Sequence, residues 1–475
     1  MQLRPVRSGA LVVALVACVS AYAAAPALPI YSITAIAPPP HSTAVVPSAI
    51  NTSGEITGSI VFSPGLPAHA FVYRSGTLTD IGTLNYPGTA TPGDAAGLSI
   101  NDAGEVAGTI LQPVYQAWAF GFQYTNGTMT GLFLRTGFPL CTANGINASG
   151  LIVGGCSNIS VSDTVIYQSG TPMAIGPQGG SASAVNVYGQ VAAYSTTSGF
   201  IFYNNVVTNI PALATASSMP VARPTAINNA GQVVGWQAEG ATYSTFLYST
   251  GTTTALPGVP VSAIQPAPAI NNAGQIVGYT AASTSAAATP YFVANGSLSN
   301  VNALISLSDP NQKFVTFTRA FAINDNAWIV AAGVDSRTGL TGAYLLMPTT
   351  PFPLAVTVLA DPILGTGEVG TAFTVAWIDQ SADMCNATGG SGNDGWGGPV
   401  ATNGGQMQLT ESVAGTYNYT VTCLSGANSV SSTASVEVKP SSSGGLGGGS
   451  GALDLRTLAA LVLLLALRVL AARRA

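Results

Sequence analysis

Between residues 31 and 347 apolar and polar positions alternate in short runs, and Gly, Asn, Ser and Pro interrupt the runs at regular intervals. A period of two is the pattern of half-buried strands, and the interruptions are turn residues. One interruption recurs as Ile-Asn-x-x-Gly-x-Val-x-Gly. It reads Ile50-Asn51-Thr52-Ser53-Gly54-Glu55-Ile56-Thr57-Gly58, then Ile100-Asn101-Asp102-Ala103-Gly104-Glu105-Val106-Ala107-Gly108. It returns at Asn147, Asn186, Asn228 and Asn271, each with Gly three residues on, and in a worn copy at Asn324-Asp325-Asn326-Ala327. The steps between successive Asn are 50, 46, 39, 42, 43 and 53 residues, close to one four-stranded propeller blade. Asn opening a type I turn accepts amides two residues on, and Gly at the fourth position takes φ > 0, so each copy predicts a hairpin. A second strand pair follows, as in His69-Ala70-Phe71-Val72-Tyr73 before Ser75-Gly76, with counterparts at Phe122-Gln123-Tyr124, Val165-Ile166-Tyr167, Phe246-Leu247-Tyr248 and Tyr291-Phe292-Val293. Two hairpins per repeat supply the four strands of a blade.

These repeats resemble the HAF repeat family of bacterial extracellular proteins, named for the His-Ala-Phe found here at His69-Ala70-Phe71. The resemblance covers about 31–347 and implies an extracellular repeat domain of propeller type; the family brings no established activity. The chain departs from the pattern at Ala327 in place of the turn Gly, at Ala193 and Ala331 in place of the last Gly, and in lacking His outside the first repeat. The seventh repeat stops at Ala343-Tyr344-Leu345-Leu346 without its last strand, and a matching strand, Tyr31–Ile36, precedes the first. A seven-bladed β-propeller pinned shut by its N-terminal strand is therefore expected, with a β-solenoid as the competing architecture.

From residue 355 to 439 the strands lengthen, as in Phe373-Thr374-Val375-Ala376-Trp377 and Tyr417-Asn418-Tyr419-Thr420-Val421-Thr422-Cys423. With Trp377 before Cys385 and Gly415-Thr416-Tyr417 leading into Cys423, this region resembles a bacterial immunoglobulin-like β-sandwich with bridged cysteines. Tyr419 stands four residues before Cys423 rather than two, a departure from the antibody-type tyrosine corner. Residues 440–452 are a Gly/Ser linker, and 453–475 form a short apolar segment, uninterrupted from Leu458 to Leu467 and closed by Arg468, Arg473 and Arg474. Gly444, Gly445, Gly447, Gly448, Gly449 and Ser450 before a short membrane helix and an Arg cluster resemble the Gly-Gly sorting signal that rhombosortase, a rhomboid-type protease, reads. A plain transmembrane anchor is the alternative.

The N-terminus carries Arg4 and Arg7, an apolar run and Ala21-Tyr22-Ala23, the pattern of a signal peptide over 1–23 removed by signal peptidase. Leu15-Val16-Ala17-Cys18 also resembles a lipobox, which makes Cys18 a candidate for lipidation. The expectation is an exported protein at the cell surface, in the outer membrane or secreted. Charge changes the picture further. Only 7% of residues are charged, and without the two end segments 7 basic residues face 17 acidic ones, a net −10 with no basic run, which argues against nucleic acid. Besides Cys18 there are Cys141, Cys156, Cys385 and Cys423, an even number that favours disulfides in an exported chain. Of three connectivities, Cys141–Cys156 with Cys385–Cys423 is the economical one.

Chemistry is sparse. His41 and His69 are the only histidines, so a zinc site of several imidazoles is excluded and a Ser-His-Asp triad must use one of them. His69 reads as a strand residue and His41, after Pro38-Pro39-Pro40, as a loop residue. Asp102, Glu105 and Asp325 fall at turn or strand-entry positions. No calcium loop or phosphate-cradling motif is present, and no cofactor is expected. The recurring Tyr73, Tyr124, Tyr167, Tyr203 and Tyr248 fit packing between blades better than a carbohydrate-stacking surface. The expected function is non-catalytic binding or adhesion to a surface glycan or protein. A glycosidase-like extracellular hydrolase with its site in the propeller mouth is the alternative, and close carboxylates in that mouth would favour it.

Overall fold

The computed structural model describes residues 29–112, 118–213, 221–350, 354–361, 366–402, 404–426 and 428–440. The signal segment with Cys18, the sorting region 444–450 and the segment 453–475 lie outside the described residues. The protein is all-β. Among the described residues the one helical element is the 3-10 turn Val301–Leu304, and no helix is long and apolar enough to cross a membrane.

Each repeat forms four antiparallel strands. In the first they are Ser42–Ile50, Ile56–Phe62, His69–Arg74 and Thr77–Gly82, paired in that order. The second and third units, 94–131 and 140–174, join through the single parallel pair Leu140–Ala119. The seventh sheet orders Val315–Ile323, Ile329–Asp335, Leu340–Pro348 and then Tyr31–Ile36. The N-terminal strand thus pairs where the sequence placed it, with Ala35 opposite Tyr344 and Tyr31 opposite Pro348.

The core lies between successive sheets. Phe71, Phe122, Phe200 and Phe246 recur at one strand position, opposite the last residue of the motif, and are fully buried, each contributing about 2–3 kcal/mol of apolar burial; Tyr291 takes that place in the sixth repeat. One cluster joins Ile36, Val330 and Leu345 of the seventh sheet to Ile56, Ile60 and Phe71 of the first, so the row of sheets closes on itself.

Two glycines of the motif act differently. The turn Gly has positive φ, from Gly54 at 82° to Gly274 at 72°, and Ala327 adopts the same conformation at 57° despite its Cβ. The worn copy therefore keeps its turn. The last motif Gly is a contact residue: a Cβ on Gly58 would meet Val46 O, beside the register shift between Pro47 and Ala49.

Residues 355–439 form a three-stranded and a five-stranded sheet around Val375, Trp377, Trp396, Tyr419 and Val421. Both disulfides expected from the sequence are present, with Cα separations of 4.0 Å for Cys141–Cys156 and 4.1 Å for Cys385–Cys423. In each the two cysteines sit opposite one another on neighbouring strands of one sheet. The second bridge therefore differs from the antibody type, which links two sheets. Replacing Cys141 and Cys156 together by Ser should lower the unfolding free energy by about 3 kcal/mol from loop entropy. A urea midpoint that does not move would show that the hairpin register needs no bridge.

Candidate functional site

The motif asparagines are all buried, and their side chains do more than shape turns. Asn51 Oδ1 accepts from Glu55 N at 2.8 Å, and Asn51 Nδ2 donates to Asn101 O of the next repeat at 2.9 Å. The same step repeats from Asn101 to Asn147 O (3.0 Å), Asn147 to Asn186 O (3.0 Å), Asn186 to Asn228 O (3.0 Å) and Asn228 to Asn271 O (3.1 Å). It continues from Asn271 to Asn324 O (2.9 Å) and returns from Asn324 to Asn51 O (3.0 Å), a closed cycle of seven. Five of the seven also donate Nδ2 to a Glu or Gln four residues on: Glu55, Glu105, Gln190, Gln232 and Gln275.

Inside this cycle lies a cavity of about 480 Å³, lined by the asparagines, the isoleucines or valine before them and the residues after them. The residue after Asn adds a second tier: Asp102 Oδ1 accepts from Thr52 N at 2.9 Å, Asn272 Oδ1 from Asn229 N at 2.8 Å and Asp325 Oδ1 from Asn272 N at 2.8 Å. Asn272 Nδ2 donates to the second oxygen of Asp325, also at 2.8 Å.

Ala401, Thr402 and Gly404 of the C-terminal sheets complete the wall. Their loop is braced from behind, because Trp377 Nε1 donates to Ala401 O at 2.9 Å and Gly404 N donates to Asp379 Oδ1 at 2.8 Å. Gln275 Nε2 donates to Gln380 Oε1 at 3.1 Å across the junction, and Tyr188 is held against the Gln406 backbone. These C-terminal sheets therefore seat on the fourth to sixth repeats and reach over the cavity.

Burial pushes the Asp325 carboxyl above the usual carboxylate range. The two donors on Asn272 oppose this, and the charges of Asp102 and Asp379 add to it. A folded-state pKa above the unfolded one, about 3.9, means that the contribution of Asp325 to stability is fully present below that value and is lost as pH rises through the folded one. Asp325→Asn does not titrate there. The stability of Asp325→Asn minus that of the wild type should therefore increase between about pH 4 and pH 7. A difference that stays flat over that range, measured by urea unfolding, contradicts this.

The remaining candidates lie outside the lining of this cavity. Glu105 accepts from Asn101 and from Thr125 Oγ1 at 2.9 Å. His69 Nδ1 lies 2.8 Å from Asp80 Oδ2, with its ring edge-on to Phe62, and among the described residues no hydroxyl bonds it. His41 is exposed, in a turn with φ 67°. Asp379, Cys385 and Cys423 are the one trio of potential metal ligands among the described residues, and the disulfide consumes both sulfurs. Tyr73, Tyr167 and Tyr248 are buried between sheets, Tyr124 packs half-buried, and Tyr203 is half-buried beside the C-terminal sheets.

No protein-family model matches the chain, and no curated protein matches its sequence. Solved structures that share its general form include TolB from Acinetobacter baumannii, at 11% identity and TM-score 0.36, covering 63% of this chain and 65% of that one. Others are a mutant Aleuria aurantia lectin in complex with α-methyl-L-fucoside (14%, TM-score 0.33, 57% of this chain, 94% of that one) and a puromycin-hydrolyzing peptidase of Mycobacterium tuberculosis (14%, 0.33, 66% and 61%). With TM-scores below 0.4, these likenesses carry no weight in assigning a function.

Proposed function

We propose that the chain is an exported surface protein that works by binding rather than catalysis, built as a seven-bladed HAF-type β-propeller with an immunoglobulin-like sandwich docked on one mouth. One observation carries the reading: most polar groups of the mouth hold the ring together, and of its two carboxyls only the exposed Asp102 keeps an oxygen without a protein partner among the described residues. Asp102 and Asp325 accept backbone amides of neighbouring repeats, and the motif asparagines bond their own turn and the next. A catalytic acid or base needs a carboxyl able to exchange protons with substrate. Two disulfides suit an oxidising, extracytoplasmic compartment. The hydrolase reading keeps one observation in its favour, since two carboxyls, Asp102 and Asp325, do share the mouth.

The test is a glycan and matrix-protein array probed with the full chain, alongside incubation of each glycan with the protein. Retention of ligand without new reducing ends is the expected result. Reducing ends that vanish in Asp102→Asn would establish the hydrolase instead. The sorting reading belongs to the same proposal: mass spectrometry of the mature surface form should find the tail cut between Gly444 and Ser450, and recovery of peptides through Ala475 would make that segment an ordinary anchor.

A further inference from the structure

A second concavity, of about 370 Å³, lies outside the ring axis where the fourth and fifth repeats meet the C-terminal sheets. Its size and its place at a junction between domains are those of small-ligand sites. Its wall contains no Asp, Glu, Lys or Arg. Tyr203, half-buried, and Val206, 61% exposed, give it an open apolar surface. Around them stand Asn204, Thr208, Gln406 and Gln408. Asn204 and Asn205 form this hairpin tip with φ 48° and 62°; Asn205 stands where the other tips have glycine, and Asn204, which lines the groove, stands where they have Ser75, Asn126, Ser169, Thr250 and Asn295. Among the described residues the side chains of Asn204, Thr208 and Gln408 make no hydrogen bond, which leaves their donors and acceptors for a ligand.

We propose that this groove binds a neutral oligosaccharide. A wall without cations offers no charge-assisted pairing to a phosphate or uronate, and one without carboxylates offers none to an amine. An aromatic face beside side-chain amides and hydroxyls matches the two surfaces of a sugar ring, its apolar C–H face and its hydroxyl edge. The proposal deepens the binding function above and rests on it.

Calorimetric titration of the full chain with neutral hexasaccharides of cellulose, xylan, mannan and chitin, and with an alginate hexasaccharide as the charged comparison, tests it. At least one neutral probe should bind and alginate should not. Tyr203→Ala should weaken that binding roughly tenfold, Tyr203→Phe should retain it, and Gln408→Ala should weaken it several-fold. Equal melting temperatures separate lost contact from lost fold. Binding untouched by Tyr203→Ala and Gln408→Ala would overturn the groove while leaving the binding function standing. Alginate preferred over every neutral probe would overturn the ligand class. A matrix-protein ligand with no sugar bound would overturn the proposal and keep the binding function, whereas shortened oligosaccharide products would overturn the non-catalytic reading itself.

Discussion

Asn324→Ala is expected to lower the unfolding free energy by about 4 kcal/mol, because it strands several buried backbone groups at once. Asn324 Oδ1 accepts from Trp328 N at 2.9 Å and Asn326 N at 3.1 Å, and its Nδ2 reaches Asn51 O at 3.0 Å. The residue is 4% exposed, so water replaces none of these cheaply. The position matters as well, since Asn324 and Asn51 close the cycle across 273 residues of chain. Asn324→Asp keeps the acceptor for the turn but at neutral pH sets a buried carboxylate against Asn51 O, so it should cost at least as much, and the cost should shrink at low pH, where the protonated carboxyl can donate to that carbonyl. Urea unfolding of the pair reads both values. A loss under 1 kcal/mol for Asn324→Ala would mean that the apolar clusters between sheets hold the ring without the asparagines.

Tyr31 should respond to substitution in two directions. Its side chain is fully buried, edge-on to Phe292 with ring centroids 6.3 Å apart, in a cluster with Phe317, Ile329 and Leu346. Tyr31→Ala should therefore cost about 4 kcal/mol and loosen the strand that completes the seventh sheet. Its hydroxyl, however, finds no partner among the described residues, and burial pushes its pKa up. Tyr31→Phe removes that unpaired group and should gain about 1 kcal/mol. Thermal unfolding of the two variants is the measurement, and a Tyr31→Phe protein less stable than the wild type would show that the hydroxyl is satisfied after all.

What the sequence disclosed follows from how far each interaction reaches. The hairpins were legible because Asn51 and Gly54 act within one turn, and the final strand pairing because Tyr31–Ile36 supplies what the seventh repeat lacks. Both disulfides were legible from the spacing of two close pairs. The bond from each Asn to the next repeat was not, because its acceptor is a main-chain carbonyl 39 to 53 residues away, or 273 at the closing step, and carries no side-chain signature. Ala327 looked like decay of the motif, yet its backbone keeps the left-handed turn. The sequence grouped Tyr203 with Tyr73, Tyr124, Tyr167 and Tyr248, but the register gives their place to Phe202, opposite Val191, and sets Tyr203 one residue further on. The C-terminal sheets then bring Gln408 to it from 205 positions further along, a contact that no local pattern announces.

The closing strand also decides how the ring answers to mechanical load. Tyr31 lies opposite Pro348 and Ile36 opposite Ala343, and Thr349 N donates to Ile30 O at 2.7 Å, so the two chain ends leave the sheet side by side. Tension drawn between those ends falls on one rung at a time, starting at Ile30 and Thr349, and peels the strand like a zipper. Tension that enters through a ligand held on another repeat and leaves through the C-terminal end instead bypasses the seam. A ring tethered at only one end can therefore hold a load that would open the same ring if it were tethered at both.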